Sequence, residues 1–255
     1  MTITHGACTH VGMKRDHNED SYIVLPEHRV YQVCDGMGGH ASGEVASKLA
    51  CDEIKEFFEL TSKDNDATWP YKLDKSMSYD ENRFMVAVKL ANVAVFERSA
   101  TDPRCRGMGT TAVGIHFTED GKVVSAHAGD SRVYRFRGGE LKRITIDHSL
   151  VEEYIRMGRL TEEEAKNFPQ KNIILRALGQ QKNLDVEVNV HDCQDGDVYL
   201  VCSDGLSGMI EDDRMREILV AKGADLEACS KAMIDAANAA GGLDNITCVL
   251  ARWNA

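Results

Sequence analysis

Four aspartates in this chain share one local setting. Asp35 follows the apolar run Val30-Tyr31-Gln32-Val33-Cys34, and Asp130 follows Val124-Ser125-Ala126-His127-Ala128-Gly129. Asp204 follows Val201-Cys202-Ser203, and Asp244 stands just before Ile246-Thr247-Cys248-Val249-Leu250. Each puts a carboxylate at the rim of a strand-like segment beside glycine or another small residue. Glycine there lets an ion or an oxyanion come close to the backbone. Singly, each also reads as ordinary turn chemistry, because Asp and Gly dominate turns. Together they make a set of hard oxygen donors of the kind that binds Mg2+ or Mn2+. Two such ions about 4 Å apart lower the pKa of a water they share, which can then attack phosphorus in line.

A second dense polar run, Arg15-Asp16-His17-Asn18-Glu19-Asp20, precedes the apolar Tyr22-Ile23-Val24-Leu25. The Arg15 fork suits two phosphate oxygens. Glu19 and Asp20 could take a metal directly or through water. The same run also reads as a solvated charged turn.

The elements that must position these groups follow from periodicity. Residues 23–25, 30–34, 111–117, 123–128, 133–136, 141–144, 186–190, 198–202 and 246–251 read as strands, with Asp120-Gly121, Gly138-Gly139 and Asp195-Gly196 as turns. Helical spacing runs from Val45 to Phe58, with Ser42 as its expected cap, and from Phe84 to Phe96, with Ser78 and Glu81 as a capping box. Thr161 and Glu164 form another capping box before a short helix ended by Pro169. Further helices are expected over 214–220 and from Leu226 to Ala240, the latter stopped by Gly241-Gly242. Strand blocks alternate with amphipathic helices, but not on a regular βαβα beat. The pattern predicts an α+β fold of antiparallel sheets packed against helices, in a single domain over 1–255.

Composition narrows the function classes. The 255 residues carry 41 acidic and 30 basic side chains, a net charge of −11. That argues against binding nucleic-acid backbone or anionic lipid. No apolar run nears the roughly 18 residues a membrane span needs, and the N-terminus lacks the pattern of a signal peptide. None of the eight cysteines forms a CxxC motif, and Cys34, Cys202 and Cys248 sit in apolar runs. Buried free thiols in a reducing cytosol are therefore expected. No cysteine sits in a loop ahead of a helix with an arginine shortly after it, the setting of a cysteine-based phosphatase.

On the residues just quoted, the chain resembles the PPM/PP2C family of metal-dependent Ser/Thr protein phosphatases, in its bacterial form. The matching motifs are Arg15-Asp16-His17-Asn18-Glu19-Asp20, Val33-Cys34-Asp35-Gly36-Met37-Gly38-Gly39-His40, Gly109-Thr110-Thr111-Ala112, Ala128-Gly129-Asp130-Ser131-Arg132, Asp147-His148-Ser149, Leu175-Arg176-Ala177-Leu178-Gly179, Cys202-Ser203-Asp204-Gly205-Leu206 and Asp244-Asn245-Ile246-Thr247. They occur in family order along nearly the whole chain.

The resemblance implies a four-layer α-β-β-α fold: a central sandwich of two antiparallel sheets flanked by antiparallel helices. It also implies two Mn2+ or Mg2+ ions, possibly with a weaker third. Carried over by motif, Asp35 bridges the pair and Asp204 and Asp244 hold the first ion. The Gly36 carbonyl and Glu19 serve the second, Asp20 hydrogen-bonds metal-bound water, Arg15 holds the substrate phosphate, and Asp130 serves the third ion.

The expected reaction is direct hydrolysis of phosphoserine and phosphothreonine in proteins by a metal-bridging water. The substrates would be products of a Ser/Thr kinase, and the enzyme a cytoplasmic monomer without nucleic-acid or membrane partners. Phosphatase activity on small phosphomonoesters and a non-catalytic phosphoprotein-binding module are the alternatives. Met37 stands where animal-type members have a histidine, as is common in bacterial members. Gly208 stands four positions after Asp204 where many members carry an acid or an amide, a departure that touches the third ion and not the main pair. Residues 147–170 correspond to a flap near the cleft, whose Arg156, Met157 and Arg159 either touch a phosphopeptide or form a solvated helix surface.

Overall fold

A computed structural model describes residues 1–38, 42–63, 69–166, 168–170 and 172–255. Gly39 and His40 of the second motif lie outside the described residues. Eleven strands and seven α-helices are formed among those described. The strands are β1 (Thr2–His10), β2 (Asp20–Leu25), β3 (Val30–Met37), β4 (Gly109–Thr110), β5 (Ala112–Phe117), β6 (Lys122–Ala128), β7 (Arg132–Arg137), β8 (Glu140–Arg143), β9 (Glu187–Asp192), β10 (Val198–Cys202) and β11 (Ile246–Asn254). The helices are α1 (Ser42–Lys63), α2 (Tyr79–Thr101), α3 (Leu150–Arg156), α4 (Glu162–Lys166), α5 (Asp204–Ser207), α6 (Asp212–Lys222) and α7 (Leu226–Ala239).

The strands form two antiparallel sheets. One runs β1-β11-β10-β7-β8; the other runs β2-β3-β5-β6-β9, with β4 paired to β3. Side chains alternate across a strand, and here both faces are covered, so the strands read as almost continuous apolar runs. In β3, Tyr31 and Val33 join the layer between the sheets, while Val30 and Cys34 join the layer under α1 and α2. In β10, Tyr199 and Val201 face the inter-sheet layer, while Val198, Leu200 and Cys202 pack with residues of α6 and α7. The result is the expected order of helices, sheet, sheet, helices.

Local chemistry explains the joints. Gly138 and Gly139 both take positive φ, 59° and 87°, as a two-residue hairpin loop between right-twisted strands requires. The α2 capping box is present in both directions: Glu81 N–H donates to Ser78 Oγ, and Ser78 N–H donates to the Glu81 carboxylate. The Thr161–Glu164 box forms likewise ahead of α4. All eight cysteines are free thiols, six of them buried. No helix is long and apolar enough to cross a membrane among the described residues.

β1, β4 and α5 were not expected, and α3 lies where a solvated helix surface was only one of two readings. β1 pairs with β11 along its whole length, yet its sequence alternates weakly because only Gly6 in it is buried. α3 forms in the 147–170 segment with no buried residue to give it an apolar stripe. Its cap is Ser149, whose hydroxyl accepts from the Glu152 N–H.

Candidate metal centre

The carboxylates gather at one end of the sandwich, and both sheets contribute. Asp20 opens β2 and stands directly opposite Asp35 of β3 in register. Like charges opposed across an antiparallel pair repel, so this register needs a reason beyond folding. Asp204 begins α5 immediately after β10, and Asp244 lies just before β11. Asp130 follows β6 and lies close enough to Asp35 and Asp204 to perturb both sites.

Asp35 is held through its backbone. Its N–H donates to Thr111 Oγ1 (3.0 Å), and its carbonyl accepts from Thr111 N–H and Thr110 Oγ1 (both 2.8 Å). Thr111 Oγ1 also meets Ser131 Oγ at 2.8 Å, which ties the Asp35 and Asp130 segments together. Gly36 packs so tightly that a Cβ there would overlap the carbonyl oxygens of Gly43 and Glu19. Its N–H donates to Glu19 O at 3.1 Å.

On the other side Asn245 acts as a keystone. Its Oδ1 accepts from Glu19 N–H (2.8 Å), while its Nδ2 donates to Val11 O and His17 O (both 2.9 Å). The loop carrying Arg15 and Glu19 is thereby fixed to the residue beside Asp244. Ser203 Oγ donates to Asp20 Oδ2 at 2.8 Å and accepts from Thr247 N–H. Thr110, Thr111, Ser203 and Asn245 were not assigned roles from the sequence. Their signal was adjacency to the acids, since all four lie within the quoted motifs beside a candidate ligand or pairing strand.

The electrostatics are those of negative charge that exceeds what the nearby Arg15 and Arg132 offset. Burial, then the charges of Asp20, Asp204 and Asp130, push the Asp35 carboxyl well above its ordinary range. Burial pushes Asp20 up to about 7 against hydrogen bonds from Thr247 and Ser203, and the charges of Asp204 and Asp244 add to the rise. Asp130 is also pushed up to about 7, by burial and then by Asp204 and Asp147. Asp204 is raised by burial and by Asp244, and its carboxyl shares a hydrogen bond with that of Asp35. Burial raises Glu19 as well. Asp20 Oδ1 and Asp130 Oδ1 are buried without a hydrogen-bond partner.

Of these acids, among the described residues, only Asp244 has a cation within ion-pair distance, Arg15 Nη2 at 2.8 Å, and that arginine is half exposed. Orphaned acceptors and repelling carboxylates are costly in a buried setting unless a positive charge balances them. An all-oxygen donor set of this kind suits hard divalent ions, so the residues present fit Mn2+ or Mg2+.

Among the described residues one further group has ligand atoms close together: His127, His148 and Glu187, within 4.8 Å of one another. It is a single candidate cation site by proximity, but its rings are stacked, 4.5 Å apart with planes 11° from parallel. An imidazole binds an ion in its own ring plane, and near-parallel planes do not converge on one ion. Three of the four ring nitrogens are also engaged, while His127 Nδ1 is buried with no hydrogen-bond partner among the described residues. His148 Nδ1 accepts from Gly129 N–H, its Nε2 meets Glu187, and His127 Nε2 meets Ile146 O. Burial lowers both histidine pKa values, that of His148 to about 4. The cluster pins Gly129, and so Asp130, to the segment Asp147-His148-Ser149.

Beside the centre runs a groove of about 610 Å3, lined by Asp130 and Asp204 at one end and by residues of α3, α4 and α6 further out. Arg156, Met157 and Arg159 do not line it. Arg156 Nη2 instead donates to both carboxylate oxygens of Glu153, which favours the solvated-surface reading of that stretch. Gly208 lines the groove without a side chain to offer.

With this arrangement in view, the family is clear: the family model "Protein phosphatase 2C" matches residues 12–250, and the chain belongs to that family. Among curated relatives, the serine/threonine phosphatase stp of Listeria innocua is 36% identical over 250 residues, covering 95% of this chain and 93% of the relative. Among solved structures, the Mycobacterium tuberculosis serine/threonine phosphatase PstP/Ppp superposes with a TM-score of 0.87 at 32% identity, covering 100% of both chains. The catalytic domain of PstP in complex with two manganese ions superposes at 0.82, with 32% identity and 99% coverage of each chain.

Proposed function

We infer that this chain is a metal-dependent phosphatase that hydrolyses phosphoserine and phosphothreonine in proteins. The observation that carries the reading is the pairing of Asp20 opposite Asp35 beside Asp204, a buried anionic cluster with unpartnered oxygens. Family membership over residues 12–250 supports the same conclusion.

Two divalent ions, Mn2+ or Mg2+, are proposed at this centre by analogy with the manganese-bound relative. Asp35 would lie between them, with Asp204 and Asp244 on one side and Glu19 and the Gly36 carbonyl on the other. Asp130 would serve a weaker third ion. When bound, the ions supply Lewis acidity: they activate a water shared between them and offset charge on the phosphoryl oxygens.

The chain's own residues do the rest. Ser203 fixes one oxygen of Asp20, leaving Oδ1 free to orient a water by hydrogen bonding. Arg15, half exposed and held here by Asp244, has the reach and fork geometry to take two oxygens of a substrate phosphate. Met37 has no proton to give a leaving alkoxide, so that proton comes from water. No cysteine nucleophile is involved, since six thiols are buried and burial pushes up the other two, Cys8 and Cys193, the latter to about 11.

Residues 1–255 are proposed to act as one domain, with 147–170 as the flap. Protein substrates are favoured over small phosphomonoesters by the groove, whose outer rim is open at Glu162, Glu211 and Asp212. The phosphorylated substrates would come from a Ser/Thr kinase. A cytoplasmic monomer is supported by the free buried thiols and by the lack of an obvious coiled coil or long exposed apolar helix in the sequence.

The test is hydrolysis of phosphothreonine and phosphotyrosine peptides across a metal series. Activity should appear with Mn2+ or Mg2+, vanish on chelation, and favour phosphothreonine. Turnover that survives chelation would overturn the metal-dependent reading.

A further inference from the structure

The groove beside the centre carries a charge pattern that the hydrolytic reaction does not require. Two arginines line it, Arg132 and Arg143, but both are already neutralised. Arg132 is bidentate to Asp147 at 2.7–3.1 Å, and Arg143 reaches Glu152 at 3.2 Å. Three other lining residues, Glu162, Glu211 and Asp212, are exposed and have no ion pair among the described residues. The groove is also lined by an apolar strip of Val151, Ile155 and Ala165. The unbalanced charge of the groove outside the metal-binding end is therefore negative, and it faces a floor that suits aliphatic stems.

We propose that this groove selects phosphoproteins with lysine or arginine near the phosphorylated residue, Glu162, Glu211 and Asp212 receiving the cation and the apolar strip its methylene stem. The inference rests on the phosphatase reading and deepens it. A phosphate anchored at the carboxylate end leaves the substrate chain to run along the groove, because Asp130 and Asp204 line the two features in common. Lysine and arginine match what the chain meets there, since each carries an apolar stem and a charged tip. Acidic flanking residues would meet like charge with no unpaired cation lining the groove among the described residues. The net charge of −11 adds a long-range pull in the same direction.

The experiment uses the full chain with Mn2+ and three phosphothreonine peptides that differ only in flanking arginine, alanine or glutamate, the variable residue being moved through successive positions on either side. The value of kcat/KM should rank arginine above alanine above glutamate, with roughly tenfold between the extremes at low ionic strength, as expected from a few exposed charge contacts. The span should shrink as salt is added. In the double variant Glu211→Lys with Asp212→Lys the arginine-to-glutamate ratio should fall to one or below. The milder Glu211→Gln with Asp212→Asn should give an intermediate ratio. Because the ratio is taken within one variant, a partial loss of folded enzyme cancels. Equal rates on all three peptides, a preference for glutamate, or a ratio untouched by charge reversal would overturn the proposal. Hydrolysis of none of the peptides would instead remove the phosphatase reading beneath it.

Discussion

Two sets of buried or half-buried aspartates in this molecule are treated in opposite ways. Asp197 is 1% exposed and is gripped by Arg137 through Nε and Nη2, with Gln194 N–H as a further donor. Asp147, also buried, is held bidentately by Arg132. At the other set, Asp20, Asp35, Asp130 and Asp204 have no ion pair among the described residues and press on one another. A carboxylate that serves the fold is given a cation by the fold. One that serves chemistry is left short of positive charge, and the shortfall is the specification for what must bind.

Removing one member of each set should therefore have opposite effects. Asp35→Asn should reduce phosphopeptide turnover by about 10^3-fold or more, on the scale of losing a principal transition-state electrostatic group, yet raise the melting temperature of the chelated protein by relieving repulsion. A drop in that melting temperature would break the contrast. Arg137→Leu leaves Asp197 buried without its cation and should cost about 3–5 kcal/mol of stability in urea titration, with Mn2+ affinity unchanged in the folded fraction.

The same contrast predicts a pH effect in the metal-free state. Asp20 and Asp130 titrate near 7 when folded and near 4 when unfolded. The folded chain thus holds more protons between those values, and stability falls as pH rises through that window. Melting in chelator should drop from pH 4.5 to pH 7.5, by an amount on the order of a few kcal/mol in free energy, and saturating Mg2+ should remove the slope. A melting point that rises over this range would contradict the assignment.

Smaller effects sharpen the picture. Ser203→Ala removes the hydroxyl that fixes Asp20, and Mn2+ titration of activity should show an affinity about 10–100-fold weaker, the usual scale for a group orienting a ligand. Arg156→Ala breaks only an exposed pair with Glu153 and should change stability and turnover by less than about 0.5 kcal/mol.

Much of this was legible in the chain before folding. Asp35, Asp130, Asp204 and Asp244 announced themselves because a carboxylate ending an apolar run is a local feature. The meander through β5–β8 followed from short apolar runs set off by tight turns whose glycines take positive φ. Convergence was not legible, because Asp20 reaches Asp35 only through the register of β2 on β3, and Asp204 reaches them only through the stacking of two sheets. β1 was missed since an edge strand that buries little shows little alternation. Asn245 was missed as a keystone since its partners, Val11, His17 and Glu19, lie more than 220 residues away in sequence.

The split origin of the acids has one more consequence. Asp20 and Asp35 belong to one sheet, while Asp204 and Asp244 flank strands of the other, so any ion they share is also a rivet between the two halves of the sandwich. Stripping divalent ions should then do more than idle the catalyst. The rim around Asp204 and Asp244 should open to amide exchange and to proteases while the far end, at the β5–β6 turn, stays closed.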